Sequence, residues 1–97
     1  MARRIIGSPQ IETSVAMQEI VPTVESWTVP VVFRAFTFMN SQACHIILNG
    51  NSRLDGQENR IFLRENQGLN IDVDDVDVKS FKIVEDGIQY NYVGKYW

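Results

Sequence analysis

Cys44 and His45 are the only cysteine and the only histidine in the chain, and they are adjacent. A thiol becomes a useful nucleophile when a base lies within hydrogen-bond reach. The surrounding Ala43-Cys44-His45-Ile46-Ile47-Leu48 reads as a strand, where neighbouring side chains point to opposite faces. The two groups therefore diverge. Cys44 falls on the face of Ile46 and Leu48 and reads as a small core hydrophobe. The second chemical candidate is the acidic run containing Asp72, Asp74, Asp75 and Asp77. Hard cations want several oxygens, so calcium is the functional reading. An EF-hand loop needs glycine at its sixth position and glutamate at its twelfth, and counting from Asp72 these are Asp77 and Ile83. The interleaved Ile71, Val73, Val76 and Val78 favour strand ends around a solvated turn, with a phase slip at Asp74-Asp75. Asp55 and Glu58 sit in an ordinary polar loop. No glycine-rich phosphate loop, nucleophile elbow or second histidine accompanies these residues. We expect no catalytic residue, no cofactor and no metal.

The elements that would carry these residues belong to one small domain. Ninety-seven residues suffice for a single core. With 44% hydrophobic and 22% charged residues, the composition is that of a globular chain. A net charge of −3 offers no basic field for nucleic acid or anionic lipid, and Arg3-Arg4 is too short for a nucleic-acid arm. A lone cysteine excludes an internal disulfide. The charged start is followed by only Ile5-Ile6 before Gly7-Ser8-Pro9, unlike a signal peptide. No apolar run approaches the roughly 20 residues of a membrane span. Synthesis in a reducing cytosol follows as the expectation.

Residues 1–22 read as an extended N-terminal arm lying on its own domain or on a neighbour, and residues 23–97 as a β-sandwich domain. Within the arm, Thr13 or Ser14 would cap a short helical turn carrying Ala16, Met17 and Ile20. From residue 29 to 39 the chain is rich in β-branched and aromatic residues. Its alternating faces are Val31, Phe33, Ala35, Thr37, Met39 and Val32, Arg34, Phe36, Phe38. Both are largely apolar, which predicts cover on both sides. Asn40-Ser41-Gln42 reads as a turn, and residues 43–48 as a strand ending at an Asn49-Gly50 turn. Residues 60–65 form a further strand before the turn Asn66-Gln67-Gly68. Asp86-Gly87 predicts a type I′ hairpin between residues 80–85 and 88–93. Its register would set Glu85 against Ile88, Val84 against Gln89, Ile83 against Tyr90, Lys82 against Asn91 and Phe81 against Tyr92. Six or seven short strands without a long helix predict an all-β fold: one antiparallel β-sandwich or jelly-roll-like domain.

The aromatic residues are the better candidates for function. Core filling is one account of them, and partner contact the other, because Trp and Tyr are favoured interface anchors. The series 36–50, Phe-Thr-Phe-Met-Asn-Ser-Gln-Ala-Cys-His-Ile-Ile-Leu-Asn-Gly, then residues 61–69 and 78–96, ends in a Tyr-Asn-aromatic-x-Gly-x-Tyr tail at Tyr90 to Tyr96. This cadence resembles small virion proteins of tailed bacteriophages, over roughly the last two-thirds of the chain. Residues 51–59 look like an insertion relative to it, and the N-terminal third has no counterpart. The resemblance implies head decoration, head-fibre attachment or a tail-tip role, through contacts with sister subunits and other virion proteins. It implies a trimer or higher oligomer in the virion, made in the bacterial host cytoplasm, without nucleic acid or membrane as partner. The expected contact residues are Trp27, Phe36, Phe38, Tyr92, Tyr96 and Trp97. The alternative is a carbohydrate-binding module for a host-surface glycan, with exposed coplanar aromatics and calcium held by the acidic run.

Overall fold

The computed structural model describes residues 4–23, 31–52, 55 and 57–97. Among these the protein is all-β. The strands are β1 (Arg4–Gly7), β2 (Glu12–Thr13), β3 (Ala35–Asn40), β4 (Cys44–Ser52), β5 (Glu58–Leu63), β6 (Leu69–Ile71), β7 (Phe81–Ile83) and β8 (Gln89–Tyr96). They form two antiparallel sheets in a sandwich-like arrangement. The larger runs β1-β8-β3-β6, with β2 also paired to β8, and the smaller runs β5-β4-β7.

Side-chain alternation explains the core. Phe36 and Phe38 of β3 point inward from the larger sheet, while Cys44, Ile46, Leu63, Phe81 and Ile83 are buried on the smaller one. Phe81 packs against both Phe36 and Phe38, with ring centroids 5.0 and 4.7 Å apart. That aromatic contact crosses between the sheets. Each such side chain contributes about 1.5–3 kcal/mol by leaving water.

The expected 80–93 hairpin does not form. β7 pairs with β4, setting Phe81 against Leu48 and Ile83 against Ile46, whereas β8 belongs to the other sheet. Gly87, at φ +80°, serves a crossover between sheets instead of a tight hairpin. Ser14 takes the place of the missing hairpin bonds. Its N–H donates to Ile88 O and its carbonyl accepts from Gly87 N, at 2.8 and 2.9 Å. Its hydroxyl donates to Glu85 O and accepts from Ile88 N, also at 2.8 and 2.9 Å. Phe81 is apolar enough to fill the space between sheets, and burying it there outweighs the local turn preference.

Three other local expectations change. Residues 29 and 30 lie outside the described residues, and residues 31–39 are not one strand covered on both sides. Arg34 N–H donates to Lys95 O at 2.7 Å while Ala35 is also the register partner of Lys95. Two residues thus oppose one, a bulge that shifts the inward set from Val31 and Phe33 to Phe36 and Phe38. Ala35, Thr37 and Met39 are left on the outer side. Asn49-Gly50, with φ of 58° and 63°, is not a hairpin turn but an irregularity inside β4. No helical turn forms over 13–20, where a single turn closes from Gln18 N to Val15 O at 3.0 Å.

The arm lies on its own domain. β1 and β2 pair with β8, and the chain then crosses to the smaller sheet, where Met17 N–H donates to Ile83 O and Ile20 N–H to Phe81 O.

Two substitutions test this packing. A Cβ at Gly94 would sit 2.5 Å from Cε1 and 2.7 Å from Cγ of the fully buried Phe33. Gly94→Ala is therefore expected to destabilise by about 1–3 kcal/mol in urea unfolding. Ser14→Ala leaves Glu85 O and Ile88 N without their hydroxyl partner, and a loss of about 1–3 kcal/mol is expected. An unchanged midpoint for either variant contradicts the corresponding contact.

Candidate functional site

Cys44 and His45 occupy opposite faces of β4. Cys44 is buried, and burial, with the Glu85 carboxylate adding to it, pushes its thiol up to about 11. A thiol so placed is a poor nucleophile at neutral pH. His45 lies on the outer face, where its ring packs at 5.3 Å from Phe62. It engages Glu85 twice: backbone N–H to Oε1 at 2.7 Å, and ring Nδ1 to Oε2 at 2.7 Å. Partial burial raises the Glu85 carboxyl, but the hydrogen bonds from His45 and from its own backbone, with the His45 charge, outweigh it. The net result is a carboxyl below its ordinary value. This pair ties the start of β4 to the end of β7, as does the bond from Val84 N to His45 O at 2.9 Å.

The acidic run is a turn closed by its own groups. Asp75 N–H donates to Asp72 O, and Asp72 N–H donates to the Asp75 carboxylate, both at 3.0 Å. Among the described residues, no three His, Cys, Asp or Glu side chains converge on a metal-sized site.

The six expected contact residues separate. Trp27 lies outside the described residues. Phe36 and Phe38, 1% and 0% exposed, hold the two sheets together and face no partner. The bulge at 34–35 is what turned them inward. Tyr92 is half-buried and stacks on Phe36, with centroids 5.7 Å apart at 26°. Tyr96, half-buried, packs against the same core, opposite Arg4 in the register. Trp97 lies beneath the Arg34 guanidinium, 5.4 Å from its ring centroid, and its carbonyl accepts from Arg34 Nε at 3.4 Å.

Two surface features remain. The first is a cavity of about 280 Å³ between the arm and β8, lined by Ser8, Glu12, Thr13, Gln18, Tyr90 and Tyr92 among others. Glu12 is the register partner of Tyr90, so both side chains share one face. Burial raises both tyrosines, and the nearby Glu12 charge raises them further. The second is the outer face of the larger sheet. Ile5 and Ala35 flank Lys95, Gly7 and Thr37 flank Val93, and Met39 opposes Asn91. Ile5, Val93 and Met39 are 66%, 44% and 41% exposed, so each of three adjacent strands shows an apolar side chain on this face, interleaved with Lys95, Thr37 and Asn91. The outer side of the smaller sheet instead carries Arg60, Lys82 and the His45–Glu85 pair, in rows about Ile47 and Phe62.

Comparison with protein-family models, with curated proteins and with solved structures finds no match to this chain.

Glu12, Ser14 and Glu85 matter to these sites, and the local sequence distinguished only Ser14, as a cap for a helical turn that does not form. Each acts on a partner 40 or more positions away, as in the Ser14–Glu85 and His45–Glu85 bonds with separations of 71 and 40. Only Ser14 as a cap candidate and the solitary histidine offered a hint.

Glu85 supplies a pH test. Because its carboxyl is lowered on folding, its contribution is full above the unfolded value and is lost as pH falls through the folded one. Glu85→Gln is thus expected to flatten the loss of stability below the usual carboxylate value of about 4.3, read as urea midpoints against pH. Parallel profiles for the two proteins argue against the His45–Glu85 bonds. Cys44 should resist iodoacetamide in the folded protein at about pH 8 and react once guanidinium unfolds it.

Proposed function

We propose that this chain is a non-enzymatic structural protein of a bacteriophage particle, decorating or attaching components of head or tail through protein–protein contacts. It works as a homo-oligomer, trimeric or higher, against sister subunits and other virion proteins. The observation that carries the contact role is the apolar outer face of the larger sheet, with Ile5, Val93 and Met39 exposed on neighbouring strands. Exposed apolar side chains of this kind, here interleaved with Lys95, Thr37 and Asn91, gain free energy when a partner covers them. Support for a phage origin comes from the resemblance of residues 36–50, 61–69 and 78–96. The buried Cys44 thiol and the outward His45, paired with Glu85, are unsuited to act together on a substrate. Of the expected tail contacts, half-exposed Trp97 beyond the end of β8 is the one left for a neighbour to meet, whereas Tyr96 packs toward the core.

Light scattering with chromatography tests the reading. The wild-type protein is expected at the mass of a trimer or larger ring, unchanged by a calcium chelator. Val93→Asp, which places a charge on the outer face, is expected to lower the mass to that of a monomer while the thermal midpoint stays within about 2–4 °C. Trp97→Ala should weaken assembly more than folding. A wild-type monomer at all concentrations removes the self-association part. Chelator-dependent assembly would instead promote the acidic turn and glycan binding.

A further inference from the structure

We propose that the cavity between the N-terminal segment and β8 is a binding site for an organic cation, an alkylammonium or guanidinium group, with Glu12 as its counter-ion. The inference stands independently of a role in a virion. Among the described residues lining the cavity, Glu12 and Glu19 are acidic and none is basic. Glu19 is already committed. Its Oε1 accepts from Ser80 Oγ at 2.5 Å, and its Oε2 accepts from Phe81 N at 2.7 Å and Val21 N at 3.2 Å. It fastens the arm to β7. Glu12 has no cation beside it among the described residues, although it is half-buried next to two phenols. Its charge raises both tyrosines, which places a field of one sign across the cavity. A carboxylate without a counter-ion in a half-enclosed cavity attracts a cation more strongly than one in open water.

Size and lining decide between cations and sugars. At about 280 Å³ the cavity lies just below the usual range of roughly 300–1,000 Å³ for small-molecule sites, which suits a side-chain-sized group more than an oligosaccharide. The ring of Tyr92 is stacked on Phe36, and that of Tyr90 packs on Phe38 with centroids 5.8 Å apart. Their core-facing sides are therefore occupied. Of the uncommitted groups lining the cavity, the Glu12 carboxylate is the one that only accepts, while the phenols and the Gln18 amide can turn an oxygen toward a donor as well. A guanidinium or ammonium brings several donors and no acceptor, which complements this set. Tyrosine rings at the rim add attraction for a cation.

The experiment is an NMR titration of the full chain with N-acetyl-arginine amide, N-acetyl-lysine amide, butylamine and lactose in parallel. Saturable shifts confined to Glu12, Thr13, Gln18, Tyr90 and Tyr92 are expected with the cations and not with lactose. Raising the salt should weaken them. Glu12→Gln, which keeps size and removes charge, should weaken cation binding about tenfold or more, as the loss of a charge-assisted hydrogen bond predicts. Tyr92→Phe provides a second, milder variant should Glu12→Gln disturb β2. Tighter binding of the capped amino acids than of butylamine assigns the cation to a protein partner, and the reverse order to a free amine. No saturable shift with any cation, equal binding by Glu12→Gln, or shifts with lactose alone would overturn the proposal.

Discussion

A chain that changes sheet at four of the seven connections between its named strands must find partners for the backbone groups at each corner. Buried N–H and C=O groups left unpaired cost as much as the contacts they permit, so the corners decide whether the sandwich closes. Here each described crossover between named strands is fastened by a short polar side chain. Asn40 serves two of them. Its amide donates to Gln42 O and Arg64 O, both at 2.8 Å, and its carbonyl oxygen accepts from Gly68 N at 2.9 Å. It thereby joins the β3-to-β4 and β5-to-β6 connections. Asn49 donates to Asp77 O at 2.8 Å and accepts from Lys79 N and Ser80 N at 2.7 and 3.2 Å, which holds the segment entering β7. Ser14 holds the β7-to-β8 crossing. With these corners satisfied, the phenylalanines can be buried without stranding polar backbone beside them.

The N-terminal segment follows from the same requirement. β8 offers one edge to β3, and its other edge needs partners, which β1 and β2 supply. β7 is a short strand whose free edge is met by residues 17–20. One segment thus covers an edge in each sheet, which protects both from pairing with another chain. Because it spans from one sheet to the other, it cannot lie flat, and the cavity is the space it leaves above Tyr90 and Tyr92. Glu19 anchors the far side of that space and Glu12 the near side. The cavity is therefore a consequence of how the sandwich is closed.

The two outer faces differ in character. The larger sheet presents Ile5, Ala35, Val93 and Met39, and the smaller presents Arg60, Lys82 and the His45–Glu85 pair. Both faces are mixed, since Phe62 is exposed on the smaller sheet and Lys95 interrupts the apolar residues on the larger, but aliphatic side chains are the more numerous on the larger sheet. Among the described residues β5 and β6 are the end strands of their sheets, opposite the edges that the N-terminal segment covers.

Alternation of apolar residues, the turn residues and the absence of a helical period were enough to define an all-β domain, and to separate Cys44 from His45 by the parity of a strand. The turn at Asn66-Gln67-Gly68 was also legible, since Asn66 and Gly68 adopt positive φ. Partnerships between strands were not. Asp86-Gly87 carries a strong local hairpin signal, yet a two-residue preference of about 1 kcal/mol cannot match the burial of Phe81 and Ile83 between sheets. The same limit hid the bulge at Arg34-Ala35, which reverses the faces of β3 and sends Phe36 and Phe38 into the core. It also hid Glu12 as a neighbour of Tyr90, because their pairing spans most of the chain. Local sequence sets the conformations each segment prefers. Only the tertiary structure decides which of them coexist, because the free energy that selects among them comes from contacts between residues far apart in the chain.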